Sequence, residues 1–313
     1  MKTKILLFLI LWKFSSAVLC ESFTLKIINL PFPPYQRNVT KLFNIGKNVY
    51  GIIPECSYHH GRIITFDDNG VRQVNNLPSD VLVVESVIFN PELTWTWDKS
   101  YKKIVVLDPQ GVLSIYDNNG HRKEIQTIAG TRPFEKSSYQ VSRTFAMGRD
   151  NCIYTAGKDG YIFKLNPETM EVKKLNVRLP SVKGREAWAS LDAATVTDDG
   201  TIYFGTFDGY IASFNPESNV MKNLGKPFRQ QRIQALVYFN NIIFGIGGEP
   251  DGLPRWFIYD TIAGTFEIGG TLKNTENKLI YEPVNSMIYL ENNKIYGSFS
   301  GRLGSLFVIQ YER

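Results

Sequence analysis

The chain is built from short segments in which hydrophobic and polar residues alternate. Each segment ends in a turn rich in Asp, Asn, Pro or Gly, and a second alternating segment follows, which is the pattern of a β-hairpin. No stretch has a sustained helical period. Six such hairpins begin 45 to 50 residues apart, at Gly61, Gly111, Gly160, Gly209, Pro254 and Gly304. The sequence therefore predicts an all-β fold made from a repeated unit.

A second pair of alternating segments precedes most of the hairpins. Clear examples are TFAMGRDNCIYTAG from Thr144, ATVTDDGTIYFGT from Ala194 and MIYLENNKIYGSF from Met287. Each repeat thus supplies four strands, lettered A to D in chain order, and a four-stranded unit of this length is typical of a propeller blade. Six blades account for the chain, whereas a seventh would need a hidden repeat in residues 79–100.

The two ends of the chain complement each other. The last repeat stops at Arg313 after its strand C, and the segment Ser22–Pro31 alternates like a strand D. We expect this N-terminal strand to complete the last blade and close the ring, because closure removes an open sheet edge. Residues 21–313 are thus predicted to form one β-propeller domain of six four-stranded blades.

Residues 1–20 have the features of a secretory signal peptide. Two lysines precede the apolar run Ile5–Trp12, and small residues follow it. The run is shorter than the roughly 20 residues that span a bilayer, so we expect cleavage and no membrane span in the mature protein. The predicted location is secreted or periplasmic. Attachment of a lipid at Cys20 is the alternative, which the bulky Leu19 before it disfavours.

Composition narrows the range of functions. The chain has 313 residues, 43% of them hydrophobic, and a formal charge of +5, which falls to +2 when the three lysines of the leader are removed. A nearly neutral domain gives no case for nucleic-acid binding. Beyond the leader there are two cysteines, Cys56 and Cys152, which lie in different repeats. We favour buried thiols over a disulfide between them.

The sequence resembles the blades of secreted β-propellers. The phrases that carry the resemblance are DGTIYFGTFDGYIASFNPESNVMKNLG and NCIYTAGKDGYIFKLNPETMEVKKLN. The group includes gluconolactonase-like, streptogramin-lyase-like and polysaccharide-lyase-associated propellers, and the resemblance implies blade construction without an active site. Its calcium-dependent hydrolases hold their metal with acidic and Asn residues at the channel. Asp192, Asp198 and Asp208 are available here, but we assign no metal site and leave the cofactor open.

The sequence predicts that charge differs between the two faces of the ring. In a propeller the B-to-C and D-to-A connections share one face, here called the upper face, and the A-to-B and C-to-D turns share the lower face. The C-to-D turns carry Asp and Glu without Lys or Arg, whereas the D-to-A connections carry an excess of basic residues. We expect a basic upper face that receives an anionic ligand. The alternative is that turn-forming acidic residues simply accumulate on the lower face.

Aromatic residues interleave with the basic residues of the predicted upper face. This combination suits sugar rings that bear carboxylates, because the rings stack and the arginines pair with the acids. The candidate substrate-binding residues are Arg132, Arg143, Arg185, Trp188 and Arg232. Packing between blades is the alternative role for Trp188. The expected partner is an acidic polysaccharide or oligosaccharide, bound by a monomer.

His59 and His60 lie together in the first B-to-C connection. A histidine near its usual pKa of about 6.5 accepts a proton at neutral pH. Cleavage of a uronate polymer by β-elimination needs a base, positive groups that stabilise the developing charge, and an acid. One of the two histidines as base, the arginines, and Tyr139 or Tyr58 as acid would meet these needs. The alternative is a histidine pair that serves only the turn or makes weak ligand contacts.

Three functional classes follow from these observations. The first is a secreted propeller that binds an acidic glycan and cleaves it as a polysaccharide lyase. The second is a non-catalytic scaffold that binds a protein partner or a carbohydrate. The third is a metal-dependent hydrolase of the gluconolactonase type.

Overall fold

The computed structural model describes twenty-four strands in six antiparallel sheets of four strands each. The described residues are 22–34, 37–45, 47–53, 62–76, 85–89, 103–107, 113–117, 122–125, 144–157, 159–166, 169, 171–186, 189–229, 232–248, 253–300 and 304–312. The predicted all-β propeller fold is confirmed. Within the described ranges, no helix is long and apolar enough to cross a membrane.

Five of the sheets each consist of four consecutive strands, paired in chain order. Their strands A to D are β2 (Lys41–Ile45), β3 (Asn48–Ile53), β4 (Arg62–Asp67) and β5 (Gly70–Asn76) in blade 1; β6 (Glu85–Phe89), β7 (Lys103–Leu107), β8 (Leu113–Asp117) and β9 (Arg122–Ile125) in blade 2; β10 (Ala146–Met147), β11 (Ile153–Ala156), β12 (Tyr161–Asn166) and β13 (Glu171–Arg178) in blade 3; β14 (Leu191–Val196), β15 (Ile202–Thr206), β16 (Ile211–Asn215) and β17 (Val220–Gly225) in blade 4; and β18 (Ile233–Phe239), β19 (Ile242–Gly247), β20 (Arg255–Asp260) and β21 (Thr265–Thr271) in blade 5.

The sixth sheet joins the two ends of the chain. It contains β22 (Val284–Leu290), β23 (Lys294–Phe299) and β24 (Leu306–Glu312), and its outer strand is β1 (Ser22–Ile28). Strand β1 runs antiparallel to β24 over its whole length, from Ser22 opposite Glu312 to Ile28 opposite Leu306. The N-terminal strand therefore completes blade 6, as the sequence predicts.

Burial decreases from the inner to the outer strands of blades 4 and 5. Strands β18 and β19 are buried at almost every position, because neighbouring blades cover both faces of the sheet. The outer strand β17 is exposed or half-buried throughout. Cores form between adjacent blades, so that one hydrophobic cluster contains Phe244 of blade 5 together with Phe299 and Phe307 of blade 6. The inner strands of blade 5 therefore pack on both faces of their sheet.

A glycine recurs in the middle of strand B in four of the blades. The residues are Gly51, Gly205, Gly245 and Gly297. At Gly297 the Phe307 ring of the neighbouring strand occupies the place where a Cβ would stand, and Phe257 does the same at Gly245. Gly245 and Gly297 are required because a large ring on strand C crosses directly over strand B, whereas aliphatic side chains occupy the corresponding place at Gly51 and Gly205.

A polar bulge residue links blades 4, 5, 6 and 1 at the start of strand A. The register with strand B shifts at Asp192 in blade 4, Gln234 in blade 5 and Asn285 in blade 6. Each side chain reaches the start of the next blade. Gln234 Oε1 accepts a hydrogen bond from the Val284 amide at 2.8 Å, and Asn285 Nδ2 donates to the Val39 carbonyl at 3.0 Å. The bulges thereby fix how neighbouring blades meet at the upper face.

Candidate functional site

Two of the eight candidate residues lie in the described part of the chain, namely Arg185 and Arg232. Their positions are on the upper face, in the D-to-A connections that precede blades 4 and 5. The other six lie outside the described residues, so that their placement stays a prediction. These six are His59, His60, Arg132, Tyr139, Arg143 and Trp188.

Arg232 forms a buried ion pair with Asp192. Its Nε donates to Asp192 Oδ2 at 2.8 Å, and the two residues are 8% and 7% exposed. The backbone of Arg232 is left-handed, with φ of 67°, a conformation that costs a non-glycine residue roughly 1–3 kcal/mol and persists only where its surroundings impose it. Here its amide donates to the Phe207 carbonyl at 2.7 Å. This arginine therefore holds the seam between blades 4 and 5.

Arg185 forms a looser ion pair with Asp208. The distance from Arg185 Nη2 to Asp208 Oδ1 is 3.3 Å, whereas a strong pair of this kind measures about 2.7–2.9 Å. The Asp208 side chain has no exposed surface, and that of Arg185 is 35% exposed. Asp208 Oδ2 also accepts a hydrogen bond from the Val182 amide at 3.3 Å. The aspartate lies beneath the connection, and the arginine extends from it towards solvent.

The two ion pairs belong to one cluster. Phe207, which precedes Asp208, donates its amide to the Ser190 carbonyl at 3.0 Å and accepts the Arg232 amide. Two arginines expected to bind an anion are therefore compensated by carboxylates. As a result, they add less positive charge to the upper face than the sequence predicts.

The three aspartates considered for a metal do not lie together. Asp192 and Asp208 are on the upper face, whereas Asp198 lies in the A-to-B turn of blade 4 on the lower face, where it accepts a hydrogen bond from Tyr238 Oη at 3.4 Å. Across the residues that the structure describes, no group of three or more His, Cys, Asp and Glu side chains could hold a metal ion.

A set of cations over aromatic rings follows the upper rim of the ring of blades. Each member lies where strand C begins or strand D ends, and we call these four residues the rim cations. They are Arg62 over Phe32 at 4.9 Å, Arg178 over Tyr161 at 5.3 Å, Lys226 over Tyr210 at 5.5 Å and Arg255 over Phe228 at 5.1 Å. Contacts of this kind stabilise an exposed cation by about 0.5–1 kcal/mol.

Three of the rim cations make hydrogen bonds to backbone carbonyls, and that of Lys226 Nζ to the Arg229 carbonyl is the longest, at 3.4 Å. Arg178 Nε donates to the Asp159 carbonyl at 2.6 Å, and Arg255 Nη2 donates to the Gly269 carbonyl at 3.1 Å. The Asp159 carboxylate pairs instead with Lys174, at 3.1 Å. No carboxylate of the described residues lies within ion-pair distance of Arg178 or Arg255. A carbonyl orients a guanidinium without supplying a negative charge, so Arg178 and Arg255 have no ion-paired carboxylate within the described ranges. Glu186 is the acidic residue that interacts with Arg178 from a longer distance, since hydrogen bonds from the turn backbone and the charge of Arg178 lower the pKa of its carboxyl.

The rim cations are not among the binding residues that the sequence predicts. A signal was present, because the connections before blades 1 and 5 share the pattern Pro-Phe followed by Gln-Arg, in PFPPYQR and PFRQQR. The phenylalanine of each pattern, Phe32 or Phe228, lies under the arginine that begins the next strand C. The arginine of the first pattern, Arg37, donates to the Phe32 carbonyl at 2.5 Å.

Acidic residues of the lower face stabilise the turns in which they lie. Asp67 Oδ1 accepts the Asn69 amide at 2.8 Å, and Asp260 Oδ1 accepts the amides of Ile262 and Ala263 at 2.8 Å. Burial alone would raise the pKa of Asp67, but hydrogen bonds from Arg72 and from the turn backbone lower it below its usual value. These hydrogen bonds are sufficient to explain why acidic residues occur in the turns of the lower face.

The lower face also contains a groove of about 290 Å³ between blades 3 and 4. Cys152, which is buried, and Leu175 contribute apolar surface, and Lys164 and Lys173 contribute amino groups. Lys164 pairs with Asp150 at 2.8 Å, so its charge is compensated. Cys56 lies outside the described residues.

Comparison with known proteins supports the fold. No protein-family model matches the sequence, and no curated protein matches it significantly. Two similar solved structures are virginiamycin B lyase from Staphylococcus aureus and a protein of unknown function from Bacteroides thetaiotaomicron. The first has a TM-score of 0.62 and 11% identity, covering 92% of this chain and 99% of its own. The second has a TM-score of 0.60 and 11% identity, covering 93% and 76%.

The class of the protein is therefore a β-propeller similar in fold to a streptogramin lyase. At 11% identity the similarity extends to the fold alone. What the chain binds has to be argued from its own residues.

Proposed function

We propose that the upper face of this propeller binds an acidic, uronate-containing glycan. The observation that carries the proposal is the set of rim cations, of which Arg178 and Arg255 are oriented by carbonyl groups and not by carboxylates. A guanidinium in this state keeps its full charge and presents its remaining donors to a ligand. The binding residues are therefore the rim cations, together with Arg185 in the connection before blade 4.

An acidic glycan suits this surface for two physical reasons. The cations recur on blades 1, 3, 4 and 5, and a polymer with a carboxylate on successive sugars engages several of them at once. The aromatic rings beneath them hold the cations in place, and the three that are partly exposed, Phe32, Tyr161 and Tyr210, offer apolar surface to sugar faces, whereas Phe228 is buried. A neutral glycan lacks the first interaction and should bind weakly.

The catalytic form of the proposal is β-elimination. His59 or His60 takes the proton from the carbon next to the carboxylate, and its electron pair forms a new carbon–carbon double bond. The bond to the leaving glycosidic oxygen breaks, and Tyr139 gives that oxygen a proton. Arg132, Arg143 and Arg185 stabilise the enolate-like charge, with Trp188 stacking on a sugar, whereas Arg232 stays in its buried pair with Asp192. The lyase name of one similar structure supports testing this reaction first.

Binding is tested with polygalacturonate and dextran as the acidic and the neutral polymer. We expect the double variant Arg178→Gln, Arg255→Gln to bind polygalacturonate about tenfold or more weakly at low salt, because two ionic contacts to carboxylates are lost. Arg72→Gln is the matched control, since Arg72 is an exposed arginine near the lower face that pairs with Asp67. Equal affinity in all three proteins would contradict the proposal.

The same assays separate the other two classes. Binding of polygalacturonate without unsaturated product indicates a carbohydrate-binding scaffold. A thermal transition that a chelator lowers, together with lactone hydrolysis, indicates the metal-dependent hydrolase. Neither result is expected from a lyase of the kind proposed.

A further inference from the structure

Two neighbouring arginine–aspartate pairs of the upper face differ in their geometry. The pair of Arg232 and Asp192 is short, at 2.8 Å, and buried on both sides. The pair of Arg185 and Asp208 is longer, at 3.3 Å, and combines a fully buried carboxylate with a guanidinium that is 35% exposed. The first has the geometry of a structural link, and the second has the geometry of a support for a group that meets solvent.

The Asp208 carboxylate is incompletely satisfied within the described part of the chain. Its Oδ1 has no exposed surface and no hydrogen bond of good geometry, although Arg185 Nη2 lies 3.3 Å away. Its Oδ2 has a long hydrogen bond from Val182. A buried carboxylate costs several kcal/mol unless it is well paired, and an orphan buried oxygen calls for a reason.

We infer that Asp208 is a positioning residue that aims Arg185 at a carboxylate of the bound glycan. This inference rests on the proposed function and deepens it. Asp208 holds the connection before blade 4 through the Val182 amide, and its Oδ1 attracts the terminal Nη2 of the Arg185 guanidinium from 3.3 Å. The exposed side of the planar guanidinium then offers a fork to a uronate, whose two oxygens match it.

Asp208→Asn tests the inference because two physical effects have opposite signs. The change removes a negative charge from the upper face, so long-range electrostatics alone predicts tighter binding of an anion. Loss of positioning predicts weaker binding instead, by about fivefold to tenfold if the charge-assisted contact of Arg185 is lost. Asp198→Asn is the matched control, since it removes the same charge from the lower face.

The experiment measures the Kd of each variant for oligogalacturonate and for its carboxyl-reduced form, at two salt concentrations. We expect Asp208→Asn to weaken binding of the acidic form and to leave the reduced form unchanged. Arg185→Lys keeps the charge and loses the fork, so the preference for the acidic form should fall about fivefold or more. The Arg185→Lys variant also tests the inference by itself if Asp208→Asn does not fold.

The outcomes separate the inference from the proposed function. Affinity that is unchanged or tighter in Asp208→Asn, or an unchanged preference in Arg185→Lys, overturns the positioning role. If the Arg178→Gln, Arg255→Gln protein loses binding in the same series, the proposed function stands without it. If the unaltered protein binds no acidic glycan, the proposed function fails and the inference falls with it.

Discussion

Asp68, in the C-to-D turn of blade 1, forms an ion pair with Lys294 at the start of strand B of blade 6. Tyr296 donates its hydroxyl to the same carboxylate, and Lys26 of the N-terminal strand donates to the Asp68 carbonyl at 2.9 Å. These contacts cross the seam beside the blade in which the two ends of the chain meet. Burial alone would raise the pKa of Asp68, but the bonds from Lys294 and Tyr296 lower it below its usual value.

This seam should give the fold an acid-dependent contribution to stability. Because the folded-state pKa of Asp68 is depressed below an unfolded value near 3.9, its contribution is present above about pH 4 and lost as the pH falls through the folded pKa. We expect Asp68→Asn to lower the free energy of unfolding at pH 7 by about 1–2 kcal/mol. The measurement is urea unfolding at pH 7 and pH 3, where the difference from the unaltered protein should shrink.

Asp67→Asn is the control for this prediction. Asp67 pairs with Arg72 inside blade 1 and not across the seam, with exposed side chains. We expect Asp67→Asn to lower the free energy of unfolding at pH 7 by less than Asp68→Asn does. If both variants lower the free energy of unfolding equally, the contact of Asp68 across the seam stabilises the protein no more than a contact within one turn does.

Gly297→Ala should destabilise the protein strongly. The added methyl group would overlap the Phe307 ring, which is fully buried and lies against Phe299 with ring centres 4.4 Å apart. Overpacking of this kind typically costs about 1–3 kcal/mol. Thermal unfolding checks it, with Gly270→Ala as the control, because no atom lies within 4 Å of the site of its Cβ. Similar transition temperatures in the two variants would show that the Phe307 ring can move aside.

Arg232→Gln should lower the free energy of unfolding more than the double variant that removes both charges of the ion pair. The single change leaves Asp192 buried without its guanidinium, which typically costs about 3–5 kcal/mol. Adding Asp192→Asn removes that uncompensated charge, so the double variant should be more stable than Arg232→Gln. A double-mutant cycle in urea checks the coupling. Additive costs would show that the pair makes no direct contribution.

Replacement of both His59 and His60 by Ala should abolish the formation of unsaturated product from polygalacturonate. The reason is that no proton can then be taken from the carbon beside the carboxylate. Product is measured by its ultraviolet absorbance, and binding is measured in parallel. His121→Ala is the control, because the sequence places His121 near a turn of the lower face. Undiminished product in the double variant would exclude these residues as the base.

The repeat could be predicted in detail because its signals are local. Asx turns, such as the one that Asp260 caps, recur with fixed spacing, and the alternation of Ser22–Pro31 is visible without any knowledge of its partner. The pairing of β1 with β24 followed from counting strands. The bulges at Asp192, Gln234 and Asn285 were not predictable, since each depends on a contact with the next blade.

By itself, the sequence determined the all-β propeller, its four-stranded repeat and its closure by the N-terminal strand. The alternation of hydrophobic residues and the positions of turn residues are sufficient to predict these three features, because both signals act between residues that are close in the sequence. Only the tertiary structure decided which arginines are paired with a carboxylate. Arg232 meets Asp192 from forty residues away and is neutralised, whereas Arg178 and Arg255 meet carbonyls. Net charge along a chain carries no information about such pairing, because ion pairs form between connections that the ring of blades brings together.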